Sequence, residues 1–378
     1  MSRYFSFSRM AAIFFKELIQ MRRDRLTFGM MLSVPMLQLI LFGFAINTDP
    51  KHLATVLNIQ SPSAFSRDLT AAMSNSGYFD IIGEVSSEAE IDRLLDMGEV
   101  QFVLTIPPEF SSELQKGNRP VVLMEVDATD PAATSNALHV IGQLARTAFD
   151  RHLVGPLAPL KVGEDPIDLR IHSRYNPEAN SQYNVVPGLM GVILTMTMVM
   201  MTSLAITRER ERDTMETLLS MPVRPLEVMI GKILPYIGLG YIQIIVVLIA
   251  ARLLFDVPVV GSLGLLALLL LLFIAANLAI GLTFSALSAN QFQAMQMSFF
   301  YFLPALLLSG FMFPFRGMPV WAQVLGEILP LTHFLRVVRG ILLKGNGFWQ
   351  VWPELWPQAL FTLVAFAIAL KVFRKTLD

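Results

Sequence analysis

Apolar residues in this chain gather into six long runs, near 27–47, 184–206, 229–251, 262–286, 295–313 and 357–373. A membrane-spanning helix needs about 20 mostly apolar residues, so the pattern predicts six transmembrane helices. Residues 257–315 hold no Asp, Glu, Lys or Arg, a stretch too long for one crossing. A polar interruption from Ser285 to Gln293 divides it into two spans joined by a tight turn.

The pattern changes in 48–183, between the first two runs. Ala54–Ile59, Gln101–Ile106 and Val121–Val126 read as strands. Ser87 and Glu90 have the spacing of a capping box opening a helix through about Met97. Pro108 opens a shorter helix that ends near Gly117. In Thr134–His152, Leu138, Ile141, Leu144, Ala145 and Phe149 share one helical face. The order β-α-β-α-β-α predicts a small α/β domain, large enough for its own core, inserted between helices 1 and 2.

Two segments admit two readings each. Residues 314–356 are cut up by Pro314, Gly317, Pro319 and Pro330 and hold all four tryptophans, Trp321, Trp349, Trp352 and Trp356. They form either an aromatic belt at the membrane surface or a re-entrant hairpin, whose backbone must be covered by protein. Residues 1–26 place Ile13, Phe14, Leu18 and Met21 at helical spacing, with Lys16, Arg22 and Arg23 elsewhere on the surface. They form either an amphipathic elbow helix or a basic stop before the first span, and both draw on anionic membrane lipid. The first run exceeds a signal-peptide core and lacks a clear small-x-small site, so it reads as a retained span.

Composition sharpens this picture. Hydrophobic residues make up 54% and charged residues 16%, with mean hydropathy +0.55, against roughly 25% charged in soluble domains. The chain is an α-helical integral membrane protein with an α/β insert. Residues 48–183 carry 10 Lys and Arg against 19 Asp and Glu, leaving 19 basic and 11 acidic residues elsewhere. With residue 1 in the cytoplasm, the inner segments hold 14 Lys and Arg and the short outer ones five. The positive-inside rule then puts both termini in the cytoplasm and the insert outside it.

Enzyme chemistry finds little support. Gly231-Lys232 lacks the first glycine and the hydroxyl residue of a phosphate-binding loop. The five histidines, His52, His139, His152, His172 and His333, have no metal-ligand spacing, and the absence of cysteine excludes disulfides and thiolate sites. No G-x-S-x-G elbow occurs. The apolar cores of the expected spans carry no ionisable side chain. Their polar residues, Asn184, Gln243 and Asn277, have the character of helix–helix glue. The second run is rich in Met (Met190, Met196, Met198, Met200, Met201), suited to an adaptable apolar pathway or to plain packing.

The densest charge follows the second run. After 29 uncharged residues, 179–207, come Arg208, Glu209, Arg210, Glu211, Arg212, Asp213, Thr214, Met215 and Glu216. Continued as a helix, it pairs Arg208 with Glu211 and Glu209 with Arg212 at i,i+3. These charges either only set topology or form a docking helix for a cytoplasmic motor.

This stretch, with Thr217-Leu218-Leu219, Pro222, Glu227, Gly231-Lys232 and Pro235, resembles the signature of ABC-2 type permeases, with Asp213 where a Gly is usual. Lys16-Glu17 with Arg23-Asp24 resembles the family's elbow. Arg174-Tyr175-Asn176-Pro177, Asn290-Gln291, Ser309-Gly310-Phe311, Met318-Pro319 and Pro330-Leu331-Thr332-His333-Phe334 resemble later motifs, and the large insert resembles the bacterial multidrug exporter branch. The resemblance implies a six-span type V exporter subunit in the bacterial inner membrane. It implies a coupling segment over 207–228 in which Arg208, Glu209, Arg210, Glu211, Thr214 and Glu216 meet a separate ATPase. Met318, Pro319, Pro330 and His333 would belong to the outer hairpin. ATP and magnesium would be bound by the ATPase and no cofactor by this chain. The implied partners are a second permease, identical or paralogous, and a periplasmic membrane-fusion adaptor, with no nucleic acid. Two other classes stay open: an ion-coupled secondary transporter, and a receptor or scaffold with an extracytoplasmic binding domain.

Overall fold

A computed structural model describes residues 50–152, 165–211 and 225–375. The expected elbow and first span, with Lys16, Glu17, Arg23 and Asp24, lie outside the described residues.

The insert folds as β1 (Leu53–Ile59), α1 (Ala64–Asn75), β2 (Phe79–Glu84), α2 (Glu88–Asp96), β3 (Phe102–Ile106), α3 (Phe110–Gln115), β4 (Val121–Asp127), α4 (Pro131–Thr147) and β5 (Asp168–Arg174). Its sheet order is β2-β1-β3-β4-β5, parallel except between β3 and β4. Alternation sorts the side chains of the central strands. Leu53, Leu57, Phe102, Leu104, Val122 and Met124 pack with α1, α3 and α4, while Val56 and Val103 face Ile91 and Leu95 of α2. Both faces are therefore buried, as a largely parallel sheet requires.

The three expected strands form, and two more appear at the sheet edges. One capping expectation fails: Ser87 precedes α2 but makes no side-chain cap bond, and Glu88 and Glu90 instead put negative charge in the first turn of the helix. The reciprocal box lies at α1, where Ser66 N donates to Ser63 Oγ at 3.1 Å and Ser63 N to Ser66 Oγ at 2.8 Å.

The remainder is helical: α5 (Ser181–Glu211), α6 (Pro225–Phe255), α7 (Leu263–Leu287), α8 (Gln291–Leu308), α9 (Val320–Ile328), α10 (Pro330–Arg339) and α11 (Phe348–Lys375). Among the described residues four helical stretches are long and apolar enough to cross a membrane: Ser181–Leu204, Pro235–Phe255, Leu263–Leu287 and Phe348–Val372. The last begins at Phe348, ahead of the expected 357, because Pro353 and Pro357 are accommodated inside α11. This brings Glu354 into the stretch and corrects the expectation that the spans hold no ionisable group.

Helices α5 and α7 are the buried centre of the bundle, and α6 and α11 its outside. The short α10 is inserted against α5, α7 and α11, with Phe334 stacked on Phe273 at 4.1 Å between ring centroids. Gly191 makes room for it: a Cβ there would sit 2.7 Å from Leu331 Cδ1. Residues 330–335 are all buried, whereas Trp321, Trp349, Trp352 and Trp356 are exposed. The segment thus divides into a buried stretch in α10 and exposed tryptophans.

Candidate functional site

The bundle has two polar ends, joined by α5. At 1.5 Å per residue, its 31 residues run about 46 Å, more than the roughly 30 Å of a hydrocarbon core.

At the domain end, the sheet domain is fastened to the chain after α10. That chain passes through a π-helical turn, Gly340–Lys344, and leaves it at Gly345 with φ of 76°. Lys344 and Asn346 are thereby aimed at the domain. Lys344 Nζ lies 2.6 Å from Asp127 Oδ2 at the end of β4 and donates to Leu95 O at 2.7 Å. It also sits 5.0 Å over the Tyr175 ring. The two charged side chains are only 7% and 8% exposed. Asn346 Nδ2 donates to Asp96 O at 3.0 Å, and Tyr175 OH to Asp96 Oδ1 at 2.6 Å. Burial, then the Asp96 contact, raise the Tyr175 phenol, keeping it a donor. Tyr175 holds φ of 66°, a costly conformation for a bulky residue, where the sheet hands over to α5. Arg174 braces this corner, donating to Glu125 Oε1 from Nε at 2.8 Å and Nη2 at 2.6 Å, and to Asp92 from Nη1.

Arg339 of α10 makes a second fastening. Its guanidinium donates to Asn184 Oδ1 at 2.9 Å, and Asn184 Nδ2 donates to Thr129 O at 3.0 Å. The first turns of α5 therefore touch both the domain and the hairpin.

Within the hairpin, His333 Nδ1 lies 2.6 Å from Glu354 Oε2 and its Nε2 2.8 Å from Glu327 O. A carbonyl and an ionised carboxylate only accept, so this geometry asks both ring nitrogens to donate. Burial opposes the charge on His333, yet the bond to Glu354 and its negative charge raise the imidazole above its ordinary value. Arg336 completes the cluster, with Nη2 2.5 Å from Glu327 Oε1 and Nη1 3.2 Å from Glu354 Oε1. Two cations and two anions balance with His333 protonated. Between this cluster and the domain lies a cavity of about 540 Å³, lined among others by Asp96, Asp130, Arg316, Arg336, Arg339 and Glu354. Its mixed charge is that of a wet vestibule. Among the described residues no cluster with metal-ligand character occurs.

At the opposite end, α5 carries the start of the charged segment, Arg208 to Glu211. Arg208 is exposed. Glu211 Oε1 accepts from the backbone N–H of Gln291 at 2.7 Å, and Oε2 from the Gln291 side chain. Glu209 and Arg210 lie in the last turn of α5, but their side chains, like Thr214 and Glu216, lie outside the described residues. In the hairpin, Met318 and His333 are buried, Pro319 is the N-cap of α9 and Pro330 the first residue of α10.

Sequence reasoning missed Lys344, Asp127, Arg336 and Glu354. The available signal was charge inside the interrupted apolar segment: Lys344, Arg336 and Glu354 all fall within 314–356, where the basic residues had weighed only in the topology.

The model of the family described as "ABC-2 family transporter protein" matches residues 25–371. The chain is 29% identical to "Probable multidrug ABC transporter permease YbhS" of Escherichia coli, over 90% of each chain. It is 27% identical to "Probable multidrug ABC transporter permease YbhR" of the same organism, over 98% of this chain and 99% of that one. To "Inner membrane transport permease YhhJ" it is 29% identical, over 90% of this chain and 93% of that one.

Proposed function

The chain belongs to the ABC-2 family of transporter proteins, and from that premise we propose that it is the membrane-spanning subunit of an exporter driven by a separate ATPase. The relatives' names make it a membrane subunit of an ABC transporter. Efflux of drugs or other amphipathic compounds is the finer reading, supported by the word multidrug in those names. In this reading the protein crosses the inner membrane six times with both termini in the cytoplasm. A second permease completes the pathway, and a membrane-fusion adaptor receives the cargo on the far side.

One observation carries the mechanism. The helix that bears Arg208 to Glu211, the start of the charged segment, is continuous to Ser181, beside Asn184, which binds both the sheet domain and Arg339 of the hairpin. A push on the charged end is carried along one continuous helix, past Pro187 near its start, to the structures covering the vestibule. ATP binding in the partner must favour one tilt of α5 over the other for this to drive export. Glu209 and Glu216 are the acceptors for basic residues of the ATPase, with Arg208 and Arg210 as donors.

The test is purification through a tag on this chain, followed by an ATP hydrolysis assay. An ATPase should co-purify, and charge reversal at Glu209 together with Glu216 should release it while the permease remains in the membrane. Co-purification unchanged in the reversed variant would overturn the docking assignment. Recovery of the permease without any ATPase would favour the receptor or scaffold reading. Glu354 inside the last candidate span gives the ion-coupled reading one candidate group, and collapse of export by a protonophore with ATP intact would support it.

A further inference from the structure

Three polar residues of α5, Ser203, Thr207 and Glu211, recur every fourth position and therefore share one face of the helix. Each meets a different part of the neighbouring hairpin α7–α8. Ser203 Oγ lies 2.9 Å from Ser298 Oγ in α8, and Thr207 Oγ1 lies 3.0 Å from Ser285 Oγ near the end of α7. Glu211 receives both the backbone and side-chain N–H groups of Gln291, the first residue of α8. The top of this ladder is as close as backbones can come: a Cβ at Gly281 of α7 would fall 2.7 Å from Val199 O.

The Glu211 contact has its own logic. The first turn of a helix leaves N–H groups without intrahelical partners and carries partial positive charge. Asn290 caps α8 from within the chain, its side chain accepting from Gln293 N at 2.9 Å. The Gln291 N–H remains, and a carboxylate from another helix fills it. The two bonds from Gln291 hold the Glu211 carboxyl below its ordinary value.

Resting on the reading of the charged segment as the coupling element, we propose that Glu211 does not face the ATPase but is a positioning residue. With Thr207 and Ser203 it fastens α5 to α7–α8, so that the motor's stroke moves these three helices as one body. The α7–α8 turn, with Gln291, is then part of the coupling apparatus.

The chain has no cysteine, so the pair Glu211→Cys and Gln291→Cys supplies its only thiols, and the unaltered complex given the same treatment controls for those of the ATPase. The complex is purified with its co-purifying ATPase, and ATP hydrolysis is measured before and after treatment with a short bifunctional thiol cross-linker. The free cysteine pair should lower hydrolysis about fivefold or more, the lower end of typical coupling between sites, and cross-linking should restore it. A docking role for Glu211 predicts no restoration, because the carboxylate stays absent. Failure to cross-link, full activity of the free pair, or loss of activity on cross-linking would each overturn the proposal. If no ATPase co-purifies with the unaltered chain, the coupling reading itself fails, and this proposal with it.

Discussion

The two ends of the bundle are fastened by different chemistry. At the domain end the links are charged: Lys344 with Asp127, both desolvated, and His333 and Arg336 with Glu354 and the more exposed Glu327. At the other end they are hydroxyl pairs and one exposed carboxylate, across Ser203–Ser298, Thr207–Ser285 and Glu211–Gln291. A buried ion pair adds little net stability, yet losing one partner strands a charge at high cost. A hydroxyl pair is cheap to make and cheap to lose. The domain end is therefore suited to two discrete arrangements, closed or fully parted. The charged end is suited to holding helices in one register while they move together.

The sharpest way to break this contrast is Lys344→Ala. It leaves Asp127 buried, with Thr129 its remaining bonded side chain, and should cost about 3–5 kcal/mol, as removal of one partner of a buried pair does. Detergent-solubilised protein should melt correspondingly earlier and become open to proteolysis between domain and hairpin. Replacing Lys344 and Asp127 together by apolar residues should recover most of the loss. If the single variant melts like the parent, the pair is not desolvated in solution and the contrast falls.

The next test is pH. The folded pKa of His333 is raised above its ordinary value, so its contribution is present in full below the unfolded pKa, about 6.5. It is lost as pH rises through the folded value. Melting temperature should therefore fall on the alkaline side, by an amount set by one hydrogen bond to a charged group, about 1.5–3 kcal/mol at most. His333→Gln should flatten that part of the profile. An alkaline fall unchanged in the variant would place its origin elsewhere.

What the sequence disclosed follows the same divide. Four of the long apolar runs, the central strands β1, β3 and β4 and the helical start of the charged segment, through Glu211, were legible because each is a local pattern. The edge strands were not: β5 reads Asp-Leu-Arg-Ile-His-Ser-Arg, half exposed, with too few apolar positions to show a period. The burial of α10 was hidden because Thr332 and His333 look like loop residues until Gly326 O and Glu354 are seen to bond them. Lys344 and Asp127 stand 217 residues apart, and no spacing rule reaches that far. The charged residues of 314–356 were visible all along, but only a fold can say that they face a second domain.

The smallest expected effect is the most exacting test of the contrast. Ser203→Ala and Ser298→Ala each remove one hydroxyl from a buried pair. Both oxygens keep a second bond to their own helix, Ser203 Oγ to Met200 O at 2.9 Å and Ser298 Oγ to Ala294 O at 2.8 Å. Either hydroxyl can therefore turn to a carbonyl when its partner is lost, and neither single change strands a polar group. A double-mutant cycle should give a coupling energy of about 0.6 kcal/mol, typical of side-chain hydrogen bonds between membrane helices. That is several times less than the corresponding cycle on Lys344 and Asp127. Each of these keeps a second hydrogen bond, to Leu95 O and from Thr129, but is left buried without an opposite charge. A coupling energy at Ser203–Ser298 as large as that of the ion pair would make the two ends alike, and the division into a switching end and a register-holding end would have to be given up.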